Sequence, residues 1–101
     1  MTVRQDPENN EILALRNIVD FRDASVLEIG CGDGRLTWRY AQEAANVTAI
    51  DPFEPSIRRA KENTPAKLRH IVKFDDVGFE DFAAQARSHA FDLTILAWAL
   101  C

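Results

Sequence analysis

A chain of 101 residues is one domain at most and can bury only a modest core. Its composition, 47% apolar and 28% charged, is that of an ordinary globular protein, and a net charge of −4 argues against a general nucleic-acid binder. The polar start, Met1 to Asn10, is no signal peptide, and no apolar run is long enough to cross a bilayer. Cys31 and Cys101 show neither metal-ligand spacing nor a disulfide framework, which fits a reducing cytoplasm.

The elements alternate along the chain. Asp6-Pro7 reads as an N-cap followed by proline at the first helical position. Ile12, Leu15, Ile18 and Val19 then give the apolar face of a leading helix that ends near Phe21. Ser25 to Ile29 is the first strand. Arg35 to about Ala45 follows as a helix, with Leu36, Tyr40 and Ala44 on one face. Val47 to Ile50 is the second strand, closed by Asp51-Pro52. Pro55 opens a helix that must end before Pro65. His70 to Phe74 is the third strand. Phe79, Phe82, Ala83 and Ala86 stand at helical spacing, and Phe91 to Ala97 is the fourth strand. Strands alternating with helices imply right-handed crossovers and a doubly wound parallel sheet with helices on both faces.

The segment richest in chemistry is Glu28-Ile29-Gly30-Cys31-Gly32-Asp33-Gly34. Alternating glycines allow torsions that a side chain forbids and let a ligand approach the main chain. The helix start that follows offers free amide donors. Glu28 stands at the carboxyl end of its strand, where open α/β sheets bind ligands, and can orient the turn's amides or accept a bond from a ligand ammonium. Asp51 ends the second strand, 23 residues after Glu28. The two oxygens of its carboxylate suit a ribose diol, and Phe53 can cover one face of an adenine. A dinucleotide-binding domain also combines glycines with a strand-end acid, but its fingerprint is G-x-G-x-x-G rather than the G-x-G-x-G present here. His70 and His89 read as structural or solvated. Arg58, Arg59 and Lys61 read as a solvated helix face, and Trp38 as packing on its helix. No metal-ligand cluster stands out.

On these residues the sequence resembles the class I S-adenosylmethionine-dependent methyltransferases. The resemblance runs from about Ser25 to Cys101 and rests on three stretches in order: Val26 to Gly34, Val47 to Asp51, and Phe91 to Ala97. It implies S-adenosyl-L-methionine as cofactor and assigns roles residue by residue. Glu28, Gly30, Cys31, Gly32 and Gly34 would contact the methionine part. Asp51 would hold the ribose hydroxyls, and Pro52 and Phe53 would flank the adenine. In the third motif the family commonly uses an aspartate for the adenine amino group; here that position is Gly78, so the main chain around Gly78 and Phe79, or Asp76, would take its place. Ala97 and Trp98 would lie near the transferred methyl group.

A complete fold of this class has seven strands, and the resemblance accounts for four, in the order 3-2-1-4. The chain is therefore expected to be a single cofactor-binding domain, 1–101, cut off after the fourth strand, whose apolar edge would invite pairing. No general base is evident, so catalytic residues stay unassigned. The methyl acceptor is unidentified, with the acidic charge favouring a small molecule. Two other readings stand beside the methyltransferase: a nicotinamide-dinucleotide oxidoreductase domain, and a non-catalytic module whose fourth strand recruits a partner.

Overall fold

The computed structural model describes residues 20–85 and 91–97. The expected leading helix, Ala86, His89, Trp98 and Cys101 lie outside the described residues. Four parallel strands, β1 (Ser25–Ile29), β2 (Asn46–Ile50), β3 (Val72–Asp75) and β4 (Leu93–Leu96), form one sheet in the order β3-β2-β1-β4. Register is set by Val26 opposite Val47 and Leu93, and by Val47 opposite Val72. Three helices join them: α1 (Thr37–Tyr40), α2 (Glu54–Asn63) and α3 (Phe79–Gln85), with short 3-10 turns at Ala41–Glu43 and Ala66–Leu68.

Strand alternation divides the core between the two faces of the sheet. Val26, Val47, Ala49, Val72, Phe74 and Ile95 meet Leu36, Tyr40, Ile57 and Ala60 on the face covered by α1 and α2. Leu27, Ile29 and Ile50 form a smaller cluster on the other face, against Val77, Phe82 and Phe91. Helices thus wind onto both faces, as the near-continuous apolar strands require.

The helix after β1 is shorter than its periodicity predicts. Leu36, Tyr40 and Ala44 are all buried as that face requires, but α1 gives way to the 3-10 turn at Tyr40, whose φ is −121°. The chain is drawn back toward the start of β1: Asp23 N donates to the Glu43 carbonyl (3.0 Å) and Ala45 N to the Ala24 carbonyl (2.9 Å). Those anchors aim the chain into β2 before a longer helix can form. By contrast α2 follows its punctuation, with Pro55 in the first turn and Thr64 closing the end by donating its hydroxyl to the Ala60 carbonyl (2.8 Å).

In β4 the regular ladder is four residues rather than seven. Asp92 accounts for the motif that opens it. Its amide donates to the Ser25 carbonyl (2.8 Å) and its carboxylate accepts from the Ser25 amide (2.9 Å), clamping the start of β4 to the start of β1. The expected face of α3 is only partly used. Phe82 packs against the smaller cluster and lies 6.0 Å from Phe91, ring centre to ring centre. Ala83 and Phe79 are exposed.

Candidate cofactor site

The glycine turn leaves the carboxyl end of β1 and is tied down by β2. The amides of Gly30 (2.8 Å) and Cys31 (3.1 Å) both donate to the Ile50 carbonyl. Gly30, Gly32 and Gly34 all have positive φ, at 79°, 57° and 91°. Two of them show why glycine is required. A Cβ at Gly34 would stand 2.7 Å from the Trp38 ring and 3.1 Å from the Phe74 ring, so the turn rests directly on those two aromatics. The rings themselves pack edge to face with centres 5.3 Å apart. At Gly32 a Cβ would meet nothing within 4 Å, so the turn borders open space there.

Asp51 joins the turn to the end of β2. One carboxylate oxygen, Oδ2, accepts from the Gly32 amide (3.0 Å) and the other, Oδ1, from the Phe53 amide (2.8 Å). Each oxygen keeps a further lone pair, so the residue can brace the turn and still accept from a diol. Pro52 brings in the third motif, because a Cβ placed on Gly78 would lie 3.9 Å from the Pro52 Cβ, an ordinary contact distance. Phe53 and Phe79 are 60% and 51% exposed, the two most exposed aromatic rings of the described residues. Ala97 is buried at the end of β4; Trp98 is not among the described residues.

Glu28 behaves differently from the sequence expectation. It shares a strand face with Val26 and so points under the turn toward α1, rather than at the turn's amides. The side chain is fully buried. Its Oε1 accepts from the hydroxyls of Tyr40 (2.5 Å) and Thr37 (2.9 Å), while Oε2 is buried without a partner. Burial raises the carboxyl from its usual 4.5 to about 7, against the two hydroxyl bonds that favour the charged form. Tyr40 is fixed in turn by stacking on Phe21 at 4.5 Å, and its own pKa is raised well above the ordinary value by burial and the neighbouring carboxylate. Thr37 and Tyr40 were not singled out as site residues from sequence. Their spacing of three, which sets two hydroxyls on one helix face, was the available signal.

Cys31 is buried, and burial followed by the nearby Glu28 and Asp51 carboxylates pushes its thiol far up. The thiol is thereby held in its neutral form, as suits a small buried residue of the turn. Among the described residues no group of histidine, cysteine and acid side chains could hold a metal ion. No helix among them is long and apolar enough to cross a membrane.

A parallel sheet wound on both faces, with a glycine turn and a strand-end acid at the carboxyl ends of its two central strands, defines a cofactor-binding domain of the doubly wound α/β class. Comparison with known proteins narrows the class. The family model described as "Methyltransferase domain" matches residues 27–101. A Methanocaldococcus jannaschii protein, provisionally named a protein N5-glutamine methyltransferase, is 32% identical over 77 residues, which are 75% of this chain and 39% of that protein. Among solved structures, phosphoethanolamine N-methyltransferase 1 of Haemonchus contortus, determined with phosphoethanolamine and S-adenosylhomocysteine, has a TM-score of 0.57 at 25% identity. The match covers 67% of this chain and 14% of that one. The precorrin 8w decarboxylase structure from Methanobacterium thermoautotrophicum shares the fold, with a TM-score of 0.72 at 18% identity over 87% of this chain and 47% of that one. The chain belongs to the class I S-adenosylmethionine-dependent methyltransferase family, whose cofactor is S-adenosyl-L-methionine. It spans about two fifths of the length of the curated relatives it matches.

The residues present fit that cofactor. The open space beside Gly32, the spare lone pairs of the Asp51 carboxylate and the unpartnered buried oxygen of Glu28 are the features that would suit its methionine part, ribose and ammonium. The G-x-G-x-G turn and the family match together displace the dinucleotide reading.

Proposed function

We propose that the protein to which this chain belongs transfers a methyl group from S-adenosylmethionine to a small-molecule acceptor, and that this chain supplies the cofactor site. When bound, the cofactor supplies an electrophilic methyl carbon: the acceptor's lone pair forms the new bond while the carbon–sulfur pair returns to sulfur. The chain's own residues bind and align. The main chain of Gly30 to Gly34 lies along the methionine part. The Oε2 of Glu28, buried beneath the turn, accepts from the ammonium through a water, and a cation there favours the ionised carboxylate. Asp51 accepts from the ribose hydroxyls. Pro52, Phe53, Gly78 and Phe79 flank the adenine, and Ala97, at the end of β4, stands toward the methyl end. Much of the rate in such a reaction comes from holding nucleophile, methyl carbon and sulfur in line. The net charge of −4 favours a small acceptor over a nucleic acid. The outer edge of β4, where Leu96 is 48% exposed, is the surface through which a further strand would pair.

The observation that carries the proposal is the bond from the Gly32 amide to Asp51, which joins turn and strand-end acid into one site. Calorimetric titration with S-adenosylhomocysteine tests it. The chain should bind this ligand in preference to NAD, and Asp51→Ala should weaken binding at least tenfold. Equal affinity for NAD, or no effect of Asp51→Ala, would refute the assignment.

A further inference from the structure

Away from the cofactor site, the far edge of the sheet carries a groove of about 510 Å³ lined by Lys61, Thr64, Arg69, Val72, Lys73 and Phe74. Val72, Lys73 and Phe74 are consecutive in β3, and successive side chains of a strand point to opposite faces. Three in a row can line one groove only if the groove follows the strand's open edge. The hydrogen-bond pattern agrees. Val47 N donates to the Ile71 carbonyl (2.8 Å) and Asp51 N to the Asp75 carbonyl (3.2 Å). Ile71, Lys73 and Asp75 therefore direct their main-chain groups at β2, and those of Val72 and Phe74 point into the groove. Neither residue's main chain is bonded there by any other described residue.

The chemistry of the groove is one-sided. Lys61 at the end of α2, Arg69 in the loop and Lys73 on the strand are exposed, and no carboxylate lines the groove. Neither lysine forms an ion pair among the described residues. Among the described residues the Arg69 side chain donates to the Thr64 carbonyl alone, at 3.5 Å. In a chain of net charge −4 this is a local cationic surface beside strand donors and acceptors that no other described residue pairs.

We propose that the β3 edge docks an extended acidic peptide segment, which adds a strand beside Val72–Phe74 and sets its carboxylates against Lys61, Arg69 and Lys73. Main-chain bonds give such a contact its affinity, and alternate side chains give it selectivity. Charge complementarity favours an acidic occupant. A free polyanion can accept from the strand's N–H groups but donates nothing to its carbonyls, whereas an added strand satisfies both and brings its own carboxylates. The groove follows the outer edge of β3 rather than the carboxyl ends of β1 and β2; the two share only Phe74, whose ring underlies Gly34.

The test is fluorescence anisotropy on the full chain with a labelled heptapeptide of alternating glutamate and valine. A second peptide, N-methylated at alternate residues, keeps the charge and loses strand donors. Binding should fall at least tenfold on N-methylation, and at least tenfold for the double variant Lys61→Glu/Lys73→Glu. S-adenosylhomocysteine affinity should be unchanged in that variant, which also reports that it is folded. In an amide spectrum the peptide should shift Val72 to Phe74 and leave Gly30 to Gly34 in place. Equal binding of the N-methylated peptide, or tighter binding of a single-stranded oligonucleotide, would make this a polyanion surface and overturn the proposal. Self-association abolished by the double variant would assign the edge to a second copy and overturn it equally. No binding at millimolar peptide would leave the lysines as guards against edge aggregation and would also overturn it.

Discussion

Replacing Glu28 by glutamine should remove a pH dependence of folding that the wild-type chain carries. The carboxyl titrates near 4.5 when unfolded and near 7 when folded, because burial penalises the charge more than Tyr40 and Thr37 relieve it. A group with a raised folded pKa is fully tolerated below the unfolded pKa. Its contribution is lost as pH rises through the window from about 4.5 to about 7. At about 1.4 kcal/mol per pH unit the loss across that window is ~3 kcal/mol. The side chain is fully buried, so solvent screening does little to reduce it. Glutamine keeps an acceptor for the two hydroxyls and cannot ionise. Urea unfolding followed by tryptophan fluorescence at pH 5, 6, 7 and 8 measures the effect. Wild type and Glu28→Gln should have similar stability at pH 5, and the variant should be more stable by about 2–3 kcal/mol at pH 8. Parallel pH profiles for the two proteins would refute the reasoning, because other titrating groups contribute equally to both.

Gly34→Ala should lower stability by about 2–4 kcal/mol, combining left-handed strain with overpacking against Trp38 and Phe74; thermal unfolding by circular dichroism reads this directly. Tyr40→Phe should cost about 1–3 kcal/mol, since it removes a donor from a buried carboxylate, and should displace the pH dependence of unfolding upward. Gly78→Asp should leave the melting temperature nearly unchanged, because the position has ordinary contact space toward Pro52. In calorimetry the same variant should tighten S-adenosylhomocysteine binding severalfold by restoring the acid that the family commonly places against adenine.

Where local chemistry decides structure, the sequence was sufficient. Pro55 and Pro65 bracket α2, the G-x-G-x-G spacing marks the turn, and Asp51-Pro52 marks the end of β2. Apolar runs on both strand faces called for helices on both sides, whereas the sheet order β3-β2-β1-β4 was expected from the family resemblance alone. The losses came where long-range contacts decide. Nothing local shows that Glu43 and Ala45 will be captured by Asp23 and Ala24, which cuts α1 short. The direction of Glu28 was readable from its alternation with Val26, but a strand-end acid beside glycines suggested the turn's amides instead. The double role of Asp51, bracing Gly32 and Phe53 at once, depends on the register of β1 against β2 and so on tertiary structure.

The most direct test of the cofactor site is a two-dimensional amide spectrum of the chain titrated with S-adenosylhomocysteine. Dispersed peaks, with shifts concentrated at Gly30 to Gly34 and at Asp51 and Phe53, are the predicted result. A well-dispersed spectrum that does not move, or moves only at distant residues such as those of the β3 edge, would contradict the account.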